Sequence, residues 1–381
     1  MNPLSSLPKL SGARVLVRVD FNVPLKGNKI LDTRRIDASF KTIDVVLKKG
    51  GTPVLLAHLG KDGTESLRPV ATYLSKIYKI VFVTEDLMSA HFAEILAQVP
   101  AKTVVLIENI RRYPGEESND KAFAKRLALF GTYYINDAFS VSHRAHATVV
   151  GIPALLPSFV GATLQCEIDA ESPVIEDPKH PFVFILGGAK FETKIPLIAR
   201  FIKSADSIVV AGAILNNFYK VAGFEVGDSV VEDGYDIQIK KLLKDPKLLL
   251  PIDLMVLRND KKKTVAVDEV QKGDIIADIG PRSVELISAK IAKAKLVVWN
   301  GPTGWYEKGF TKATTDLAKA INASKVSAVI GGGDTGAVIE KTLGDRANKK
   351  LFISTGGGAT LDYLSKGTLP GIKALAKSKK I

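Results

Sequence analysis

The chain has almost no cysteine and no long apolar run. Cys166 is the single cysteine among 381 residues, so an internal disulfide is excluded and a reducing compartment is expected. The sequence does not open on an apolar segment, and no stretch is apolar enough to span a bilayer. We therefore expect a cytoplasmic protein with no membrane partner.

Nucleic-acid signatures are also missing, although the chain is basic. Lysines and arginines number 53 against 40 aspartates and glutamates, which gives a net charge of +13. These residues are dispersed, and no basic stripe is interleaved with aromatic residues. Because a positive field also attracts small polyanions, we expect a small anionic substrate and no nucleic-acid partner.

Apolar runs alternate with amphipathic stretches through two successive halves. The predicted strands are 14–19, 53–57, 80–83, 103–107 and 133–135, then 182–186, 207–211, 248–250, 275–279, 296–299, 328–330 and 351–353. The predicted helices include 35–49, 67–78, 120–130 (N-cap Asn119, C-cap Gly131), 193–203, 281–294 and 312–321. This alternation predicts an α/β fold of two doubly wound, parallel-sheet (Rossmann-like) domains. A proline-flanked helix at 161–176 is the predicted connector.

The stretch 327–338 carries the sharpest local signal. A short apolar strand turns into a helix on Gly331, Gly332 and Gly333, followed by Asp334 and Thr335. Backbone N–H groups at such a helix start suit a phosphate. The same residues fit the dinucleotide fingerprint, but the next strand ends in a second glycine turn and not in the acidic residue that a ribose needs. A metal–nucleotide site therefore fits better.

Polar residues at the predicted strand ends differ between the halves. Ligands of parallel sheets bind at the carboxyl ends of the strands. The first half places there Asp20, Asn22, His58, Lys61, Glu108, Asn109, Arg111, Arg112, Asn136, Asp137, His143, Arg144 and His146, with Arg35 opening the first helix. Arginine and imidazole groups suit carboxylate and phosphate oxygens, so this half is expected to hold a small, highly anionic molecule.

The second half places glycine turns and two lysines at its strand ends. Lys190 and Lys194 follow Gly187-Gly188 and are expected on one face of a helix start. An anion site in one domain and a nucleotide site in the other indicate a hinged phosphotransferase. P-loop and protein kinases are excluded because their motifs are absent from the sequence.

Ten motifs in order resemble the phosphoglycerate kinase family from about Ala13 to Gly371. They are VRVDFNVPL (17–25), TRRID (33–37), HLG (58–60), IENIR (107–111), NDAF with SHRAHA (136–147), GGAKFETKI (187–195), LPID (250–253), WNGPTGWYE (299–307), GGGDT (331–335) and ISTGGGATLDYL (353–364). The resemblance implies two doubly wound domains with a substrate cleft between them. It also implies reversible transfer of the acyl phosphate of 1,3-bisphosphoglycerate to Mg-ADP, which gives 3-phosphoglycerate and ATP.

The resemblance also implies residue roles and domain limits. The phosphoglycerate-binding residues would be Asp20, Asn22, Arg35, His58, Lys61, Arg111, His143 and Arg144. The nucleotide-binding residues would be Gly188, Ala189, Lys190, Lys194, Gly212, Asn300, Pro302, Glu307, Gly332, Gly333, Asp334 and Thr335, with Asp334 on Mg²⁺. Arg35 and Lys190 would be catalytic, and the turn at Gly356, Gly357 and Gly358 would face the transition state. The expected protein is a monomer with domains at 1–160 and 179–365, a hinge at 161–178 and a tail, 366–381, packed on the first domain.

Some positions depart from the family's usual pattern. Lys61 stands where an arginine is usual and lacks the bidentate fork. Phe139–Ser142 replaces Phe-Gly-Thr-Ala, Ala211-Gly212-Ala213 replaces a triple glycine, and Ile276-Ala277 replaces Gly-Leu. Two alternatives stay open at this point: a related acyl-phosphate kinase for another carboxylate, and a basic binding protein that keeps the fold.

Overall fold

The computed structural model describes residues 1–379, so the last two residues of the predicted tail lie outside the described range. Contacts divide the chain into two compact units. Unit 1 is Met1–Asp169 with the segment from Thr368 onward, and unit 2 is Ala170–Gly367. The division falls inside the long helix that the sequence predicts as a connector. Of the helices within the described range, none is long and apolar enough to cross a membrane.

Unit 1 is built on a seven-stranded sheet in which every pairing is parallel. Its strands and a small hairpin are β1 (Asn2–Pro3), β2 (Arg14–Arg18), β3 (Leu25–Lys26), β4 (Lys29–Ile30), β5 (Thr52–Leu56), β6 (Ile80–Val83), β7 (Val104–Ile107), β8 (Tyr133–Asn136) and β9 (Ser158–Val160). The strand order is β1-β9-β8-β2-β5-β7-β6, with β3 and β4 paired separately. Strands β2, β5 and β7 are buried along nearly their whole length, as expected for a sheet covered on both faces.

The helices of unit 1 partly revise the sequence prediction. They are α1 (Arg34–Ala38), α2 (Phe40–Lys48), α3 (Arg68–Leu74), α4 (His91–Ala97), α5 (Pro114–Glu117), α6 (Lys121–Ala128) and the start of α7 (Ala162–Glu176). The single helix predicted at 35–49 is wrong, because the Ser39 hydroxyl donates to Ile36 O at 2.7 Å and the helix breaks there. Asn119 is not the N-cap of α6: Asp120 accepts from Phe123 N at 2.7 Å. Gly131 is not its C-cap either, since that position is Leu129.

Unit 2 contains a six-stranded parallel sheet in which the order of the strands along the chain reverses at the middle. Its strands are β10 (Phe182–Leu186), β11 (Ser207–Val210), β12 (Leu248–Leu249), β16 (Leu296–Asn300), β17 (Ser327–Gly331) and β18 (Leu351–Ile353), with β13 to β15 in a second sheet. The order is β12-β11-β10-β16-β17-β18. The chain therefore winds outward from β10 on one side, then returns to β16 on the other, and ligands bind at such a switch point.

The sequence prediction missed a small antiparallel sheet in unit 2. Strands β13 (Asp253–Arg258), β14 (Lys261–Ala266) and β15 (Ile275–Ile279) form it in the order β14-β13-β15. Residues 275–279 were expected in the parallel sheet, and this expectation is wrong. Asn259 and Asp260 both have positive φ, the geometry of a tight hairpin turn, which pairs β13 with β14.

The remaining helices cover the second sheet and close the chain. They are α8 (Ile195–Phe201), α9 (Ile214–Ala222), α10 (Asp236–Leu242), α11 (Pro281–Lys293), α12 (Lys312–Ser324), α13 (Gly333–Leu343) and α14 (Gly358–Lys366), followed by α15 (Pro370–Lys377). Helix α15 belongs to unit 1, where Gly371 N donates to Ser142 O at 2.9 Å. A side chain at Gly371 would press on Ser142 and Val149 at 2.9 Å, so the close approach needs glycine.

Candidate active site

A cavity of about 570 Å³ lies in unit 2 at the carboxyl ends of the parallel strands. Three glycine-bearing loops bring their backbones together there. A Cβ on Gly301 would lie 2.2 Å from Gly187 O, and one on Gly212 would lie 2.4 Å from Gly188 N. These contacts exclude side chains, so the floor of the cavity consists of backbone that a ligand can approach closely.

The turn from β17 into α13 forms one wall of the cavity. Gly332 is the N-cap of α13 with φ +98°, and the helix begins at Gly333. Asp334 and Thr335 lie in its first turn and line the same cavity. The first N–H groups of a helix have no partner within it and carry the positive end of the dipole. This wall therefore suits an anion.

Two buried polar atoms, one on this wall and one at the end of the neighbouring strand β16, have no partner within residues 1–379. They are Asn300 Nδ2 and Thr335 Oγ1, and both residues line the cavity. A buried polar atom without a partner costs free energy. An amide N–H and a hydroxyl are groups that a phosphate oxygen can satisfy, so the residues present fit a nucleotide phosphate.

Lys194 supplies buried positive charge beside these atoms. Its side chain is 7% exposed, and its ammonium group contacts Asn300 Oδ1. Burial lowers the pKa of Lys194 to about 8, because desolvation penalises the charged form. A bound polyanion would favour the charged form and raise this pKa.

The expectation that Lys190 and Lys194 share a helix face is wrong. Helix α8 begins at Ile195 with Lys194 as its N-cap, so Lys190 lies in the preceding loop. Residues 191–194 form a bend and a turn in which Lys194 N donates to Phe191 O at 2.8 Å, and the helix starts only after them. Lys190 still lines the cavity and is exposed.

All twelve residues expected around the nucleotide line this one cavity. Of the three glycines expected at the transition state, Gly357 lines it, and Gly356 and Gly358 do not. Gly357 has φ +56° and is the N-cap of α14. The cavity also has an apolar end, lined by Leu215, Val230, Ile275, Ile276 and Ala277.

Asp278 belongs to the cavity wall, and the sequence reading assigned it no role. Burial raises the pKa of its carboxyl to about 6. Its Oδ1 accepts from Ile279 N at 2.9 Å and its Oδ2 from Ala313 N at 3.3 Å. A side chain at Gly304 would collide with it. Asp278 therefore holds the neighbouring loop in place, a role that no pattern in the sequence announces.

Unit 1 gathers the predicted anion-binding residues around the loops after β2 and β5. Arg35 Nη1 lies 3.2 Å from Asp20 Oδ2 and donates to Asn22 O at 3.1 Å. Asn22 Oδ1 accepts from Gly60 N at 3.1 Å. The loop at 58–61 is thereby tied to Asn22, with Lys61 exposed beside Gly60.

Arg111 and the loop at 143–144 add further basic groups to this cluster. Arg111 donates to Gly60 O at 2.7 Å and lies 3.3 Å from Glu117. Arg144 donates to His143 Nε2 at 3.4 Å. The pKa of Arg111 is lowered, first by burial and then by the charge of Arg144. Repulsion between guanidinium groups marks a site that an anion would stabilise.

The sequence analysis did not predict a buried hydrogen-bond network next to this cluster. Arg18 is 1% exposed, and its Nη2 lies 3.0 Å from His58 Nδ1. Burial, then the nearby arginines, hold the pKa of His58 well below its usual range. Because an arginine only donates, Nδ1 accepts, and the neutral imidazole carries its proton on Nε2. Arg18 is balanced by buried Glu116, whose Oε1 accepts from Thr148 Oγ1 at 2.5 Å.

Comparisons with known proteins show the family of the chain. The sequence model of the phosphoglycerate kinase family matches residues 5–367. The chain belongs to the phosphoglycerate kinase family. Phosphoglycerate kinase of Dictyoglomus turgidum is 40% identical over 383 residues and covers 96% of both chains. The enzyme of Rubrobacter xylanophilus is 39% identical and covers 98% of both chains.

Solved structures of the family share the fold. Phosphoglycerate kinase from Coxiella burnetii superposes with a TM-score of 0.85 at 33% identity, over 98% of this chain and 97% of that one. The enzyme from Pyrococcus horikoshii superposes with a TM-score of 0.84 at 26% identity, over 99% of this chain and 98% of that one. The α/β fold with two doubly wound domains and the assignment to phosphoglycerate kinase are thus confirmed. The chain is a phosphotransferase of glycolysis, and its reaction is the phosphoryl exchange between 1,3-bisphosphoglycerate and ADP.

Proposed function

We propose that the cavity of unit 2 binds the nucleotide, with its phosphates on the wall formed by the start of α13. The observation that carries this is the pair of unpartnered polar atoms, Asn300 Nδ2 and Thr335 Oγ1, next to buried Lys194. The apolar end is the complementary place for the base, and Glu307 lines the cavity as the candidate for the ribose. This proposal makes segment 179–365 the nucleotide-binding domain.

Asp334 is the proposed magnesium ligand. Among residues 1–379, no group of three or more His, Cys, Asp or Glu side chains could hold a metal ion. Mg²⁺ commonly takes one or two carboxylates and completes its shell with phosphate oxygens and water. Asp334, in the first turn of α13, fits such a site. The ion would supply charge neutralisation to the phosphates when bound.

The basic cluster of unit 1 is the proposed phosphoglycerate site. Its donors converge from four loops of segment 1–160, with Arg35, His58 and Arg111 tied to the backbone or to buried partners. Neutral His58 would offer its Nε2–H, while the arginines would offer charged forks to carboxylate and phosphate oxygens. The family resemblance adds Lys61, His143 and Arg144 to this set.

Phosphoryl transfer needs positioning and charge neutralisation, and it needs no covalent intermediate. Arg35 and Lys190 are the proposed catalytic residues, because each is a cation placed at the edge of its site. Gly357 would present the N-terminus of α14 to charge that develops on the transferring group. We further propose that the protein acts as a cytoplasmic monomer, as the sequence led us to expect.

The test is coupled turnover with 3-phosphoglycerate, ATP and Mg²⁺, with and without EDTA. Metal-dependent turnover supports the substrate pair and the ion together. A different carboxylate preferred over 3-phosphoglycerate would favour the related acyl-phosphate kinase, which Lys61 and Ser140 motivate. Binding of Mg-ATP without turnover would leave the nucleotide site in place and remove the proposed phosphoglycerate site.

A further inference from the structure

Ser140 makes a short contact inside the basic cluster of unit 1. Its hydroxyl donates to Asp20 Oδ2 at 2.5 Å. The same oxygen lies 3.2 Å from Arg35 Nη1, and Asp20 Oδ1 accepts from Asn22 N at 3.2 Å. A hydroxyl–carboxylate distance of this length is that of a strong, charge-assisted bond. Ser140 is therefore the nearest donor to the carboxylate that also pairs with Arg35.

The backbone around Ser140 is fixed by its neighbours. Phe139 and Val141 flank it in one 3₁₀ turn and are 2% and 4% exposed. Ser142 N donates to Phe139 O at 2.9 Å, and Asn136 Nδ2 donates to Ser142 Oγ at 3.1 Å. With both flanking side chains buried, the backbone of Ser140 is held in place beside Asp20.

We infer that Ser140 is a positioning residue for the phosphoglycerate site, an inference that rests on the site proposed above. Its hydroxyl occupies Asp20 Oδ2, so the carboxylate is held by Ser140 Oγ, Asn22 N and Arg35 Nη1. Without the hydroxyl, the Asp20 carboxylate would replace the lost hydrogen bond by pairing more closely with the Arg35 guanidinium. Arg35 would then be less available to an anionic substrate, although Ser140 itself need not touch the substrate.

The experiment measures equilibrium binding of 3-phosphoglycerate and of Mg-ATP to the full chain. Ser140→Ala is expected to weaken the binding of 3-phosphoglycerate about tenfold, the effect typical of losing a hydrogen bond to a charged group. Mg-ATP affinity should change less than about twofold, since Ser140 lies in the other unit. Ser140→Thr keeps a hydroxyl and should restore wild-type binding. Melting temperatures verify that each variant is folded.

A double-mutant cycle separates this role from general damage. In an Asp20→Ala background, Ser140→Ala should not weaken 3-phosphoglycerate binding further, because the hydroxyl acts only through the carboxylate. Additive losses, a Thr variant as weak as the Ala variant, or equal weakening of Mg-ATP would each overturn the inference. Wild-type chain that fails to bind 3-phosphoglycerate would instead overturn the proposed site, and this is seen before any variant is made.

Discussion

Nucleotide binding should depend on pH through Lys194. Burial lowers the pKa of this lysine to about 8 in the ligand-free chain. A bound polyphosphate favours the ammonium form and raises the pKa, so binding above pH 8 must take up a proton. The sign follows: nucleotide affinity is highest well below pH 8 and weakens as pH rises through that value.

The size of the effect follows from that pKa. A group with a pKa near 8 is about 90% protonated at pH 7 and about 25% at pH 8.5. If the bound lysine stays charged, uptake is about 0.1 proton per nucleotide at pH 7 and about 0.75 at pH 8.5. The dissociation constant should rise about tenfold between pH 7 and pH 9.

Titration calorimetry in buffers of different ionisation enthalpy measures this uptake directly. Lys194→Arg is the matched control, because a guanidinium keeps the charge but does not titrate below pH 12. The variant should therefore bind without proton uptake at pH 8.5. If the wild-type chain bound nucleotide at pH 8.5 with no uptake, the reasoning that buried Lys194 faces the phosphates would be refuted.

Three further predictions concern single groups of the two sites. Lys190→Ala should lower kcat about 10³-fold if the lysine stabilises the group in transfer, and a loss of only a few-fold would remove it from that role. Gly333→Ala should leave the melting temperature unchanged, since no atom lies within 4 Å of the added Cβ, while Mg-ATP affinity falls at least about tenfold; unchanged affinity would place the phosphates elsewhere. In ¹⁵N spectra His58 should stay neutral, protonated on Nε2, from pH 8 down to pH 5, because its pKa is held low by burial and nearby arginines; titration in that range would contradict the Arg18 contact.

The cavity wall at the start of α13 could be predicted from the sequence because its signals are local. A short apolar run, glycines and a helix pattern lie within 327–343, and the structure forms a strand, a turn and a helix there. Positive φ at Gly332 is a property of that one residue. Local chemistry of this kind needs no knowledge of distant partners.

The small sheet in unit 2 and the Arg18 network could not be predicted in this way. Strand β15 pairs with β13 across a connection of more than fifteen residues, and periodicity does not state which strand is the neighbour. Arg18 ends β2 directly after the apolar run Val15–Val17, and nothing in that run states whether an arginine at its end is buried or exposed. Its burial depends on Glu116 and on Thr148, and Thr148 lies 130 residues further on.

Position at a strand end also does not distinguish a ligand-binding carboxylate from a structural one. Glu108 and Asp137 follow strands just as Asp20 does. Glu108 accepts from Ser66 Oγ at 2.6 Å and Leu67 N at 2.7 Å, while Asp137 accepts from Thr163 N at 2.7 Å at the start of α7. Both carboxylates hold helix starts, whereas Asp20 pairs with Arg35 in the basic cluster of unit 1. The direction of the side chain and a partner distant in the sequence distinguish these carboxylates from Asp20. The sequence therefore predicted which polar residues lie at the strand ends, but only the structure shows which of them hold helix starts.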